Sequence, residues 1–306
     1  MELMDRESQF YISSGTLDDL KPVGEIFDLS GKVAVVTGTV GLAMNVIYRL
    51  ASCGAKVVCG ARGEDWGQML VDELADRGLE ILFKPTDVSK KEDCEALVAF
   101  AEEKYGPVDI VVPVAATWEA RAFVDVEEEL WDRVLDTDLK GEYFLVQAAA
   151  RSMIRAGKGG KVVTIASVAH RGDDVTKVAM MTPYNAAKAG VVGMTIGIAK
   201  ELKQYGINVN CVAPGGMLTP GAIMNNVHTT ELYGPRFDSA CMKYSEVPIS
   251  QSPDEVALMI LTMCTDVSNF MYGQLIEVDG GSQFSFQADP WSCTMPGGLC
   301  AGTPEE

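Results

Sequence analysis

Tyr184 and Lys188 stand four residues apart in the run Tyr-Asn-Ala-Ala-Lys. On a helix, positions i and i+4 share a face, so this phenol and ammonium point into one cleft. The chemistry open to such a pair is proton transfer. A cation beside a phenol favours phenolate and draws the pKa down from about 10. A tyrosine so tuned gives or takes a proton near neutrality. Ser167 follows an apolar run over 161–166, at the carboxyl end of an expected strand, where open parallel sheets bind ligands. Its hydroxyl is placed to hold a substrate oxygen beside the tyrosine. A Tyr-Lys pair alone also describes an ordinary helix surface, so the surrounding elements decide.

Those elements alternate. Val33, Ala34, Val35, Val36 and Thr37 form a short apolar run ending in a glycine turn, the pattern of a buried parallel strand. Further strands are expected at 56–60, 80–83, 110–113, 161–166, 207–212 and 274–278. Helices are expected near 42–53, 64–77, 90–104, 127–155, 183–204 and 252–264. Strand and helix alternating through the chain predict an α/β fold, a single Rossmann-like domain. Its doubly wound parallel sheet would have about seven strands, with helices on both faces. Residues 1–30 read as an N-terminal extension, 31–283 as the domain and 284–306 as a C-terminal tail. Residues 214–251 carry Pro214, Pro220, Pro235 and Pro248 without clean periodicity, and read as a substrate lid.

Bulk properties narrow the function. The 306-residue chain is 47% hydrophobic and has a formal net charge of −18. That charge argues against a nucleic-acid surface, which needs clustered Lys and Arg. The eight cysteines form no CxxC, and there are two histidines, His170 and His228, so no zinc site of ordinary spacing is expected. A reduced, cytoplasmic setting fits. Cys293 and Cys300 lie in the tail and read as free thiols, with a pairing between them left open. No secretory signal and no apolar stretch of about 20 residues is present, so no membrane association is expected.

The stretches GKVAVVTG (31–38), Asp87-Val88-Ser89, WDRVLDTDLKGEYF (131–144), Ser167, Tyr184 with Lys188, INVNCVAPG (207–215) and GQLIEVDGG (273–281) occur in this order. Together they resemble the short-chain dehydrogenase/reductase family over about residues 31–282. The resemblance implies an NAD(P)-dependent oxidoreductase interconverting a ketone and a secondary alcohol by hydride transfer. It implies Tyr184 as general acid/base, Lys188 as ribose ligand and pKa depressor, and Ser167 as the group orienting the substrate oxygen. It places Gly38, Thr39, Gly41 and Leu42 at the cofactor phosphates, and Asp87 at the adenine. Pro214, Gly215 and Thr219 would line the nicotinamide side, and Val88, Ala115 and Met217 are further expected cofactor contacts.

The chain also departs from the family pattern. The glycine loop, Thr37 to Ala43, looks one residue short, with Ala43 in the last glycine position. Pro113, Val114, Ala115 and Ala116 stand where the family has Asn-Asn-Ala-Gly. Asp138 replaces a catalytic Asn, which puts a negative charge near Lys188 and works to raise the Tyr184 pKa again. These changes keep a second reading open, non-redox chemistry such as dehydration, isomerisation or cyclisation. Where an acidic residue would select NAD, the chain has Ala61 followed by Arg62. Arginine suits a 2′-phosphate, so NADP(H) is favoured over NAD(H), with Glu64 weighing the other way. An extra stretch from His170 to Met181 reads as a surface loop or a substrate-shaping one. Trp118, Phe123, Met180, Met181, Met217, Leu218, Met224 and Tyr233 suggest an apolar ketone or alcohol; core or interface roles, and sugar substrates, stay open. The resemblance implies a homotetramer or homodimer through helices 127–155 and 183–204.

Overall fold

Val33–Thr37 (β1) is buried along its whole length, as an apolar strand between two helix layers must be. Ala34 and Val36 enter one core cluster and Val33 and Val35 the other, because successive side chains leave a strand on opposite faces. The computed structural model describes residues 20–172, 180–217, 219–233 and 252–281. Tail residues 284–306, most of the N-terminal extension and lid residues 234–251 lie outside them.

A short helix, Val23–Ile26 (α1), precedes β1. Leu42–Ser52 (α2), Lys56–Ala61 (β2), Glu64–Ala75 (α3), Ile81–Pro85 (β3), Lys91–Tyr105 (α4) and Ile110–Pro113 (β4) follow. Then come Glu128–Leu135 (α5), Glu142–Ala156 (α6), Gly160–Ile165 (β5), Thr182–Leu202 (α7) and Ile207–Pro214 (β6). Pro220–Tyr233 (α8), Pro253–Cys264 (α9) and Leu275–Val278 (β7) complete the described elements. All seven strands pair in parallel, in the order β3-β2-β1-β4-β5-β6-β7. The chain winds outward from β1 in one direction and from β4 in the other, which opens a crevice at the carboxyl ends of these two strands. One core packs α2, α3 and α9 on the sheet, and the other packs α4 and α6.

The expected doubly wound fold is therefore present, with two local corrections. The single helix expected over 127–155 is broken by a π-helical turn, Asp136–Gly141. The stretch expected to be irregular from 214 instead includes the last residue of β6 and, from Pro220, the helix α8. Its start was hidden because Pro220, read as a breaker, serves as a first-turn proline, a position where the missing N–H is no loss.

The π turn has a packing reason at its end. A Cβ on Gly141 would lie 2.5 Å from the carbonyl oxygen of Val88 and 3.2 Å from that of Asp136. Both neighbours are backbone, so neither yields cheaply. Gly141→Ala is expected to destabilise the fold by about 1–3 kcal/mol. The measurement is a denaturant midpoint that falls at unchanged slope; an unshifted midpoint would contradict the contact.

Candidate active site

Ser167 lies two residues beyond β5, in extended conformation at the start of a 3-10 turn, Val168–Arg171. Its Oγ accepts the Ala169 N–H at 3.2 Å. Tyr184 sits in the first turn of α7 and packs against Leu130, Val134 and Ala187. The Asn185 side-chain amide donates to the Ala169 carbonyl at 2.6 Å and so ties the serine turn to α7. Ser167 acts on the Tyr184 phenol in the direction that favours its ionised form, and the Lys188 ammonium lies 5.6 Å from the Tyr184 ring centroid. The three side chains singled out by type and spacing thus converge at the carboxyl edge of the sheet.

Lys188 is 2% exposed. Its Nζ donates to the Ile165 carbonyl at 2.9 Å. Two carboxylates face it: Asp138 Oδ2 at 3.7 Å and Glu142 Oε2 at 4.0 Å. These are 0% and 3% exposed. Asp138 Oδ1 accepts the Thr117 N–H at 2.7 Å, whereas its Oδ2 has no hydrogen-bond partner among the described residues. Glu142 Oε1 accepts the Ile165 N–H at 2.8 Å.

Burial sets the direction of each titration. It pushes Asp138 up to about 6, against the pull of Lys188 and the Thr117 N–H. It pushes Glu142 up to about 8, against Lys188 and the Ile165 N–H and with Asp138 adding to the rise. Lys188 is held above its ordinary value: burial works to lower it, but Asp138, Tyr184 and Glu142 outweigh that. For Tyr184 the expected fall toward neutrality does not occur in this arrangement. Burial, helped by the charges of Asp138 and Glu142, raises the phenol above its ordinary value despite Lys188 and Ser167.

The glycine loop fits a pyrophosphate. Gly38 and Gly41 take φ of +94° and +59°, conformations that glycine adopts freely. A Cβ on Gly38 would meet that of Ala43 at 2.9 Å, so the loop packs closely on the first turn of α2. α2 starts at Leu42 with no side-chain cap, which leaves its first N–H groups to an anion. The buried Thr39 completes the loop, and Thr37 Oγ1 accepts the Ala115 N–H at 3.2 Å across the crevice. A Cβ on Gly41 would lie 3.2 Å from Thr219, whose Oγ1 accepts the Ala222 N–H at 3.2 Å and caps α8. At the far end, Arg62 acts electrostatically on Asp87. Burial works to raise that carboxyl, but Ser89 hydrogen bonds and the Arg62 and Lys90 charges hold it below its ordinary value. Val88 is buried under this end. On the opposite side, the Gly215 N–H donates to Val278 at 2.8 Å, and Pro214 and Met217 flank it.

Several contacts were not foreseen. Glu142 carries no sequence signal of its own, because helical spacing alone does not reveal which face meets a lysine. Glu119 pairs with Arg121, with Arg133 at 2.6 Å and with His228 at 3.5 Å, joining the loop after β4 to α5 and α8. His170 Nε2 lies 3.0 Å from Glu277, which Arg171 also bonds at 2.7 Å. That places the histidine in a surface tie to β7. Of the expected apolar lining, Phe123 and Met224 are exposed, Met217 packs on the core and Leu218 lies outside the described residues. Residues 173–179 of the longer loop also lie outside them.

A profile described as short chain dehydrogenase matches residues 32–229. A hydroxy(phenyl)methyl-succinyl-CoA dehydrogenase subunit of Thauera aromatica is 33% identical over 261 residues, 83% of this chain and 97% of that protein. A 3-oxoacyl-acyl-carrier-protein reductase of Chlamydia muridarum is 32% identical over 261 residues, 83% of this chain and 98% of its own. Among solved structures, an actinorhodin polyketide ketoreductase with NADPH matches with a TM-score of 0.75 at 32% identity, covering 82% of this chain and 97% of that one. These names are those of dehydrogenases and reductases, and they favour redox chemistry over the non-redox reading. Sequence, sheet order and these likenesses agree that the chain belongs to the short-chain dehydrogenase/reductase family, as an NAD(P)-dependent oxidoreductase acting on ketones and secondary alcohols.

Proposed function

We propose that the chain interconverts an apolar ketone and its secondary alcohol with NADP(H) favoured over NAD(H), using Tyr184 as general acid/base. The observation that carries this reading is the convergence of Ser167, Tyr184 and Lys188 beside the crevice. When bound, the nicotinamide supplies or accepts the hydride. Gly38, Thr39, Gly41 and the amino end of α2 hold its phosphates. Pro214, Gly215, Met217 and Thr219 line the nicotinamide side, and Val88 and Ala115 the crevice between. Ser167 Oγ donates a hydrogen bond to the substrate oxygen. In reduction, Tyr184 Oη gives that oxygen its proton; in oxidation it takes the proton back. Lys188, fixed by the Ile165 carbonyl, stabilises the phenolate left behind. The open Asp138 Oδ2 gives a bridging water an acceptor, in place of the expected Asn.

The NADP(H) preference is supported by Arg62 beside Asp87 and by the NADPH named for the ketoreductase neighbour. A substrate with an apolar part is supported by the phenyl group and the polyketide named for two of the relatives. We assign residues 214–251 to a lid whose described part is α8. A homotetramer or homodimer is supported by exposed Trp131, Tyr143 and Ile196 on α5, α6 and α7. A cytoplasmic setting accords with five free cysteines among the described residues.

Tyr184→Phe removes the acid and base while keeping the ring, and is expected to lower kcat by about 10²–10⁴-fold. The sign of the pH dependence follows. Phenol is the reducing form and phenolate the oxidising one, so oxidation accelerates and reduction slows as pH rises; the same slope in both directions would sink the role of Tyr184. Arg62→Ala is expected to raise KM for NADPH by about 10–100-fold, with little change for NADH. An equal change for both cofactors would end the NADP(H) assignment. Light-scattering mass in solution is expected to give a tetramer or dimer, and a clean monomer would refute the assembly.

A further inference from the structure

The β4–β5 ladder stops early, and the reason is chemical. Its register pairs Ile110 with Lys161 and Val111 with Val162, and the Lys161 N–H donates to the Asp109 carbonyl at 2.8 Å. Alternation then makes Lys161, Val163 and Ile165 the β5 residues that face β4. The next rung needs an N–H from Pro113, and proline has none. The Ile165 peptide is left facing β4 beyond the last rung. Two side chains take up the backbone groups of Ile165: Glu142 Oε1 accepts its N–H at 2.8 Å, and Lys188 Nζ donates to its carbonyl at 2.9 Å. Ser167 is two residues further along. The backbone of Ile165 therefore holds Lys188 on its carbonyl side, leading on to the serine, and Glu142 fixes its N–H side.

Charge counting says which form Glu142 takes. One buried ammonium faces two buried carboxyl groups, and a surplus buried negative charge is expensive. Of the two, Asp138 lies nearer Lys188, at 3.7 Å against 4.0 Å. The remaining titratable groups facing this cluster are Tyr184 on α7, the buried Cys211 thiol on β6 and the Cys94 thiol on α4, which donates to the Gly141 carbonyl at 3.7 Å. The two thiols are pushed up by burial, to about 11 and about 12, so neither supplies a charge at neutral pH.

We propose that Glu142, in its neutral form, is a positioning residue of the proton relay, taking up the Ile165 N–H beyond the last rung of the β4–β5 ladder and thereby fixing Lys188 and Ser167. This rests on the oxidoreductase reading of the site. Ionisation of Glu142 would place a second negative charge beside Lys188 and make Tyr184 harder to deprotonate, the direction in which that charge acts on the phenol. The clamp is thus tied to a proton.

The test uses Glu142→Gln, which keeps the acceptor and cannot ionise, and Glu142→Leu, which keeps the bulk and loses the acceptor. E142L is expected to lower kcat about tenfold or more, with KM for the carbonyl substrate within about twofold. E142Q is expected to recover most of that loss and to remove a break near pH 8 from the wild-type oxidation profile. Infrared spectra of the cofactor-free wild type at pH 7 are expected to show a protonated-carboxyl band that E142Q lacks. Loss of thermal stability in E142L with kcat and pH profile unchanged would reduce Glu142 to a structural residue and overturn the proposal. If E142L does not fold, E142Q and the infrared band decide, and a wild type without that band overturns it. A wild type that turns over no carbonyl with either nicotinamide defeats the oxidoreductase reading instead, and the infrared band still decides the state of Glu142.

Discussion

Everything at this site depends on keeping one ammonium group buried. Lys188 is among the largest fully buried side chains of the chain, and moving an ammonium out of water costs several kcal/mol after relaxation. One carbonyl and two carboxyl groups offset that cost. The partners come from β5, from the π turn and from the start of α6, so the charge ties three elements together. Removing the ammonium would leave Asp138 and Glu142 buried beside each other with no cation. The cluster is a structural constraint whatever it does in turnover.

The same cluster sets the electrical setting of Tyr184. A lysine four residues on would by itself favour phenolate. Here its charge is shared with two acidic neighbours, and the phenol lies in a desolvated position. The balance therefore falls on the neutral phenol, the form that donates a proton to a carbonyl. The geometry around the tyrosine is a familiar one for its family, while the charge balance behind it differs, because Asp138 and Glu142 are both acids.

The fold was legible almost element by element. Val33 to Thr37 and the later apolar runs are short and bounded by glycine, proline and amphipathic stretches, a pattern few architectures satisfy. The α9 start was legible for a related reason: Ser252 and Glu255 form a capping box, with side-chain bonds of 3.3 Å and 2.9 Å to backbone N–H groups. Ser167, Tyr184 and Lys188 were legible because their spacing matters only in this context. What stayed hidden was local winding and facing. The hydrophobic pattern of 127–155 cannot distinguish a π turn from a straight helix, since one added residue per turn moves the faces without changing composition. Glu142 was hidden by the same ambiguity, as its neighbours Tyr143 and Lys140 are surface residues of the same run.

Taken singly, Pro113 and Asp138 read as departures from a known pattern, a strand end without its amide and a relay residue turned acidic, and Glu142 reads as a charge inside a core. In space they bear on the backbone around Ile165 and on one ammonium. The β4–β5 ladder ends short of Ile165, whose N–H then needs an acceptor, which Glu142 provides. An acid at that depth is tolerable only beside a cation, and Lys188 is there. A second acid at Asp138 is tolerable only if one of the two keeps its proton, which the burial-driven rises of both make easy. Each substitution is thus costly alone and reasonable in the company of the others. Departures from a family pattern are therefore better weighed as a set in contact than one position at a time.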